Sequence, residues 1–98
     1  MEKFEQGPSE EQLIELLKSP EAAKSAEFLV YVEKRESEAG DSKDSIRIAT
    51  SIAILYFKAG FKKESWESLN ECREMANNEQ DQELLAEIDS IMDGLENS

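Results

Sequence analysis

Ten consecutive residues, Ile48 to Phe57 (IATSIAILYF), carry no charge in a chain where 35% of residues are charged. A run so unlike its surroundings belongs at the centre of the core. Ala59-Gly60 interrupts it, and a second helical pattern begins at once, with Ser65, Leu69, Cys72 and Ala76 spaced four, three and four apart. That spacing puts all four on one helical face. The stretch from Ile46 to Ala76 therefore predicts two helices folded back on each other through a short turn.

The flanking segments continue the helical theme. Met1 to Pro8 is polar apart from Phe4 and reads as a flexible arm. Ser9, with Gln12 three residues on, has the pattern of a capping box, and Leu13, Ile14, Leu16 and Leu17 follow at helical spacing. A first helix is expected over Ser9 to Lys18. Ser19-Pro20-Glu21 signals a second, with Ser19 as N-cap and proline at the first helical position, running to about Ala39 before Gly40 stops it. Its centre, Phe28-Leu29-Val30-Tyr31-Val32, also suits a strand. The flanking composition and the want of a pairing strand select helix. A run this apolar predicts neighbours on two sides.

Asp41 to Asp44 is a polar break offering an N-cap at Ser42 or Asp44 for a third helix, expected over Asp44 to Ala59. As a calcium loop it fails, because the glycine precedes Asp41 and the twelfth position is Ile52 where glutamate is needed. A fourth helix is expected from Phe61 to Ala76, closed by Asn77-Asn78, and a fifth from about Glu79 to Leu95. In the fifth, Leu84, Ile88, Ile91 and Leu95 share one seam, with Leu85 and Met92 beside it. Glu83, Glu87, Asp89 and Asp93 fall on the other face, which suits a terminal helix with its outer side in water. The expectation is a single all-α domain over residues 9–98, built from five antiparallel helices with short connections.

Charge narrows the partners. The formal net charge is −12, and residues 61–98 hold three basic and eleven acidic side chains, with none basic after Arg73. Binding to nucleic acid or to anionic membrane is disfavoured. No stretch approaches the roughly 18 apolar residues of a membrane span, and no apolar signal region follows the first residues, so a cytoplasmic location is expected. The lone Cys72 cannot form an internal disulfide and reads as a small buried residue at a helix contact.

Catalysis finds no footing. The chain has no histidine, the commonest general base and metal ligand. No nucleophile–base pair and no phosphate-binding glycine loop is legible, and Cys/His metal sites are excluded by count. Neither an enzyme nor a cofactor is expected.

The pattern Ala53, Tyr56, Gly60, then Ser65, Leu69, Cys72, resembles a tetratricopeptide repeat over residues 45–76. Small residues at Ala53, Ser65 and Cys72 let two helices approach, Tyr56 and Leu69 fill the spaces between layers, and Gly60 makes the turn. The chain departs from the family at Ala49, where a large residue is usual, at Ser65, where alanine is usual, and in lacking the closing proline. A three-helix microtubule-interacting-and-trafficking module has a similar small–aromatic pattern, but the fifth helix lacks that family's basic and aromatic positions. The resemblance implies a tetratricopeptide-like helix-turn-helix array with a C-terminal capping helix. The first two helices would form an earlier, divergent pair.

In such arrays the first helix of each pair lines a concave groove. The groove-facing positions fall here on Arg47, Thr50, Ile54, Phe57 and Lys58. The implied function is a protein-binding adaptor or chaperone that holds a peptide or helix of a partner protein. Ile54 and Phe57 would grip an apolar side chain while Arg47 and Lys58 meet carboxylates. Alternatively, the first two helices cover Ile54 and Phe57 as ordinary core. Trp66 flanks the contact with the third helix, either as core against the fifth or as an exposed anchor. Two other readings stand beside this one. The acidic C-terminal half could occupy a basic site on a partner as an inhibitor or nucleic-acid mimic, or the chain could be a non-catalytic subunit that buries apolar surface against another chain or a copy of itself.

Overall fold

A computed structural model describes residues 8–97 and contains five helices: α1 (Glu10–Lys18), α2 (Ala22–Ser37), α3 (Ser42–Lys58), α4 (Lys62–Asn78) and α5 (Gln82–Glu96). Among the described residues there is no strand, so the apolar centre of α2 is helical. The N-terminal arm read from the sequence lies outside the described residues except for Pro8.

Local chemistry sets the helix ends. Ser9 caps α1 reciprocally: its hydroxyl accepts the Gln12 N–H at 3.2 Å, and the Gln12 side chain accepts the Ser9 N–H at 2.9 Å. The second helix starts later than expected, at Ala22 rather than at Ser19-Pro20. Ser19 closes α1 through its N–H on the Glu15 carbonyl, while its hydroxyl accepts the Glu21 N–H at 3.2 Å. The backbone nevertheless stays extended from Ser19, held by the proline after it, through Glu21, the residue that precedes the first helical turn. The helix also ends earlier, at Ser37. Its last carbonyls are taken by tight i→i+3 bonds from Glu38 and Ala39, and Gly40 is not in the left-handed region. Asp41, not Ser42 or Asp44, caps α3, accepting the Asp44 N–H at 2.9 Å, while the Asp44 carboxylate accepts the Gly40 N–H at 3.1 Å.

The two remaining turns share one design. After α3, Gly60 takes φ +99° and the Phe61 N–H reaches back to the Tyr56 carbonyl at 2.9 Å. After α4, Gln80 takes φ +57° and the Asp81 N–H reaches back to the Ala76 carbonyl at 3.1 Å. Both close the helix with a left-handed residue. Accordingly α4 runs on through Asn77-Asn78, and α5 starts at Gln82 under an Asp81 cap, not at Glu79.

Helix α3 is the hub. Its N-terminal half joins Ile46 to Cys72, Ala76, Leu84 and Ile88 of α4 and α5, and its C-terminal half joins Leu55 to Leu13 and Phe28 of α1 and α2. The uncharged run thus sits in the interior, as its composition predicts. The α4 stripe Ser65, Leu69, Cys72 and Ala76 is almost wholly buried. The Ser65 hydroxyl donates to the Ala53 carbonyl across the helix contact at 2.7 Å, which only small residues at both positions permit. Tyr56 stands between two other rings, edge-on to Phe28 at 5.8 Å and to Phe61 at 6.1 Å.

One expectation fails at α2. It buries Phe28 and half-buries Tyr31, Val32 and Arg35, a single i, i+3, i+4, i+7 stripe against α1 and α3. Leu29 and Val30 stay 60% and 63% exposed. The helix has neighbours on one side only, because α4 and α5 join the hub along its other flank.

Candidate protein-binding surface

Helices α3 and α5 run side by side in the same direction. Lys43 pairs with Glu83 at 3.5 Å and with Asp81 at 3.6 Å, and one turn on Arg47 pairs with Glu87 at 2.9 Å. Arg47 and Glu87 lie forty residues apart in sequence, as do Lys43 and Glu83, so the two helices advance in step. Between them α4 doubles back: Ser65 near its start meets Ala53, and Cys72 further on meets Thr50, one turn earlier in α3. Arg73 ties α4 to α5 through Asp89.

The five residues singled out from sequence do not form one patch. Arg47, Thr50 and Ile54 line a recess of about 120 Å³ whose opposite wall is Leu84, Glu87, Ile88 and Ile91 of α5. Thr50 is its buried floor, with the hydroxyl donating to the Ile46 carbonyl at 2.8 Å, and is not a groove-facing polar contact. Phe57, three residues beyond Ile54, opens instead on a neighbouring recess of about 380 Å³, lined also by Lys62, Lys63, Trp66, Leu95 and Glu96. Lys58 turns the other way and pairs with Glu10 of α1 at 2.7 Å.

This arrangement answers who covers Ile54 and Phe57. Neither belongs to the core that α1 and α2 build with Leu55, Ile52 and Tyr56. Both are half-buried and face α5 or the meeting point of α3, α4 and α5. Trp66 is half-buried beside Leu95, which places it at the α5 contact.

The electrostatics show what the basic residues are already doing. Arg47 reaches Glu87 with two hydrogen bonds, and that partner raises its pKa further above the ordinary arginine value. Asp81 is held below the usual carboxylate range, first by the Leu84 N–H it caps and then by Lys43 and Arg47. Burial pushes the Cys72 thiol upward, so it is not an activated nucleophile. The acids of α5 at Glu83, Glu87 and Asp89 thus hold the helix to its neighbours, and they are not simply a solvated outer face.

Sequence reasoning missed the α5 wall of the recess. The seam Leu84, Ile88, Ile91 is legible from its spacing, but the gap it leaves against Ile54 is not, because that depends on how α3 and α5 meet. The 120 Å³ recess is well below the roughly 300–1,000 Å³ of small-molecule sites, and it suits one apolar side chain. Among the described residues no helix is long and apolar enough to cross a membrane. No protein-family model, curated protein or solved structure matches this chain, so its function has to be read from these residues themselves.

Proposed function

We propose that the chain is a small tetratricopeptide-like interaction module, an adaptor or chaperone, holding a peptide or helix of a partner along the seam between α3 and α5. The observation that carries this reading is the pair Ile54 and Phe57, half-buried yet outside the α1/α2 core, continued across the seam by Ile91 and Leu95. Spacings of three on α3 and four on α5 keep each pair on one helical face, so both recesses have apolar residues of α3 and α5 in their walls. A side-by-side first and third helix with the second doubling back is also how a tetratricopeptide array presents its groove. The pair-to-pair advance differs, being forty residues here against about 34 in that family.

Arg47 and Lys58 enter this reading with altered roles. Each already holds a carboxylate of its own chain, so a partner's acid would have to displace Glu87 or Glu10. In the acidic-mimic alternative the work would fall on the other acids of α4 and α5, since Glu83, Glu87 and Asp89 hold bases of their own chain.

The test is quantitative capture of binding proteins by the purified chain, comparing Ile54→Ser and Phe57→Ala with the unaltered sequence. Both variants should keep their helical circular dichroism while the captured set falls. Undiminished capture by both variants would refute the seam as the binding surface.

A further inference from the structure

At one end of the molecule α3 finishes, α4 begins and α5 finishes, and there Phe57, Trp66 and Leu95 wall the larger recess, with Lys62, Lys63 and Glu96 completing its lining. The Lys62 ammonium lies 5.5 Å from the centre of the Phe57 ring, so one aromatic wall already carries a cation over its face. Lys18, Lys24 and Lys34 of α1 and α2 have no ion pair among the described residues, but within α3–α5 only Lys62 and Lys63 lack one. Lys43, Arg47, Lys58 and Arg73 each sit in an ion pair with a carboxylate of this chain. Among the described residues, Lys62 and Lys63 have no such carboxylate, although the chain holds a large excess of them. Both also occupy the first turn of α4, where the helix dipole disfavours cations. Two lysines thus break a local rule beside an apolar recess, and apart from the Lys62–Phe57 contact nothing among the described residues compensates them.

We propose that this recess docks a short acidic segment of another protein, with one large apolar or aromatic side chain entering beside Phe57 and Trp66 while flanking carboxylates meet Lys62 and Lys63. The proposal rests on the reading of the α3–α5 seam as a binding surface and gives its end a partner chemistry. Charge complementarity selects that chemistry: a basic segment would face two lysines, and a purely apolar one would leave both uncompensated. Glu96, the one acid in the lining, repels carboxylates on its own side and so directs them toward the lysines. The chain's net charge of −12 opposes approach of any acid, so recognition has to come from these local contacts and not from long-range steering.

Trp66 is the chain's sole tryptophan, so its emission reports on this wall directly. The full chain is titrated, at one ionic strength, with three blocked pentapeptides of sequence EDFDE, EDADE and KKFKK. A saturable change in Trp66 emission is expected with EDFDE, a much weaker one with EDADE and none with KKFKK. The double variant Lys62→Glu, Lys63→Glu should bind EDFDE about tenfold more weakly or worse. Its helix is favoured by acids in the first turn, so misfolding would not explain the loss. No saturable change with EDFDE, or equal binding by the double variant, overturns the proposal. It is also overturned if Phe4→Ala alone alters Trp66 emission and tightens EDFDE binding, which would assign the recess to this chain's own N-terminal segment. Failure here, with Ile54→Ser still abolishing partner capture, would leave the seam reading standing.

Discussion

The Arg47 guanidinium closes on the Glu87 carboxylate with two hydrogen bonds, Nε to Oε1 at 3.3 Å and Nη2 to Oε2 at 2.9 Å, at the rim of the α3–α5 recess. Both side chains are nearly half exposed. An exposed pair of this kind is screened by solvent and salt, so its main effect is to fix the register of the two helices and the shape of the rim. Arg47→Ala should therefore lower the urea midpoint only slightly, and the difference should vanish near about 1 M salt. A large, salt-resistant loss would mean that the pair is structural in a way its exposure does not suggest.

The matched turns at Gly60 and Gln80 invite a direct comparison. Each residue takes the left-handed conformation that ends a helix, but only glycine does so without steric cost. No neighbour lies within 4 Å of where a Cβ at Gly60 would stand, so conformation alone decides there. Gln80→Gly is expected to stabilise the fold by about 1 kcal/mol, and Gly60→Ala to destabilise it by about the same amount. For a domain near this size that is a melting shift of roughly 4–8 °C in opposite directions. Thermal unfolding of the two variants checks both signs at once.

Most of the fold was legible because helix signals in this chain are local. The uncharged run of α3, the Ser9–Gln12 cap and the Ser65–Leu69–Cys72–Ala76 stripe each follow from residue spacing, and each appears where that spacing puts it. The misplaced boundaries fall where a short stretch offers several capping candidates and the backbone decides among them. At Ser19-Pro20-Glu21 the Ser19 hydroxyl does accept the Glu21 N–H, yet the backbone turns helical only after Glu21. At the next break it is Asp41, ahead of Ser42 and Asp44, that accepts the Asp44 N–H. The left-handed Gln80 carries no glycine signal, which is why the α4–α5 turn was displaced toward Asn77-Asn78. The candidate site was less legible. Which way Lys58 turns, and that Glu87 would take Arg47, depend on how helices distant in sequence meet, and no single-helix pattern encodes that.

Asp81 should give the acid limb of the stability curve a recognisable component. Its folded pKa is depressed, mainly by the Leu84 N–H and then by Lys43 and Arg47, so its contribution is complete above the unfolded value of about 3.9 and is lost as pH falls through the folded value. Asparagine caps helices about as well as aspartate but does not titrate. Asp81→Asn should therefore be less stable than the unaltered chain at neutral pH, with the gap closing toward about pH 2. Urea unfolding at the two pH values measures it, and a gap that stays constant with pH would contradict the assignment.

The exposed side of α2 makes the last prediction. Phe28 is buried between Tyr31 and Tyr56, whereas Leu29 and Val30, adjacent in sequence, face outward from a helix at the edge of the α1–α3 core. Neighbouring positions on one helix should then respond in opposite ways. Phe28→Ala removes a ring from a packed cluster and should cost about 3–5 kcal/mol, enough to threaten a domain of this size. The double substitution Leu29→Lys, Val30→Lys should leave the urea midpoint of the isolated chain within the range of ordinary surface changes, about 0.5 kcal/mol. Sedimentation of the double variant and the unaltered chain separates the remaining possibility. If the two lysines convert a self-associated chain to monomer, Leu29 and Val30 are covered in solution by a second copy, and the exposed face of α2 is an interface instead of plain surface.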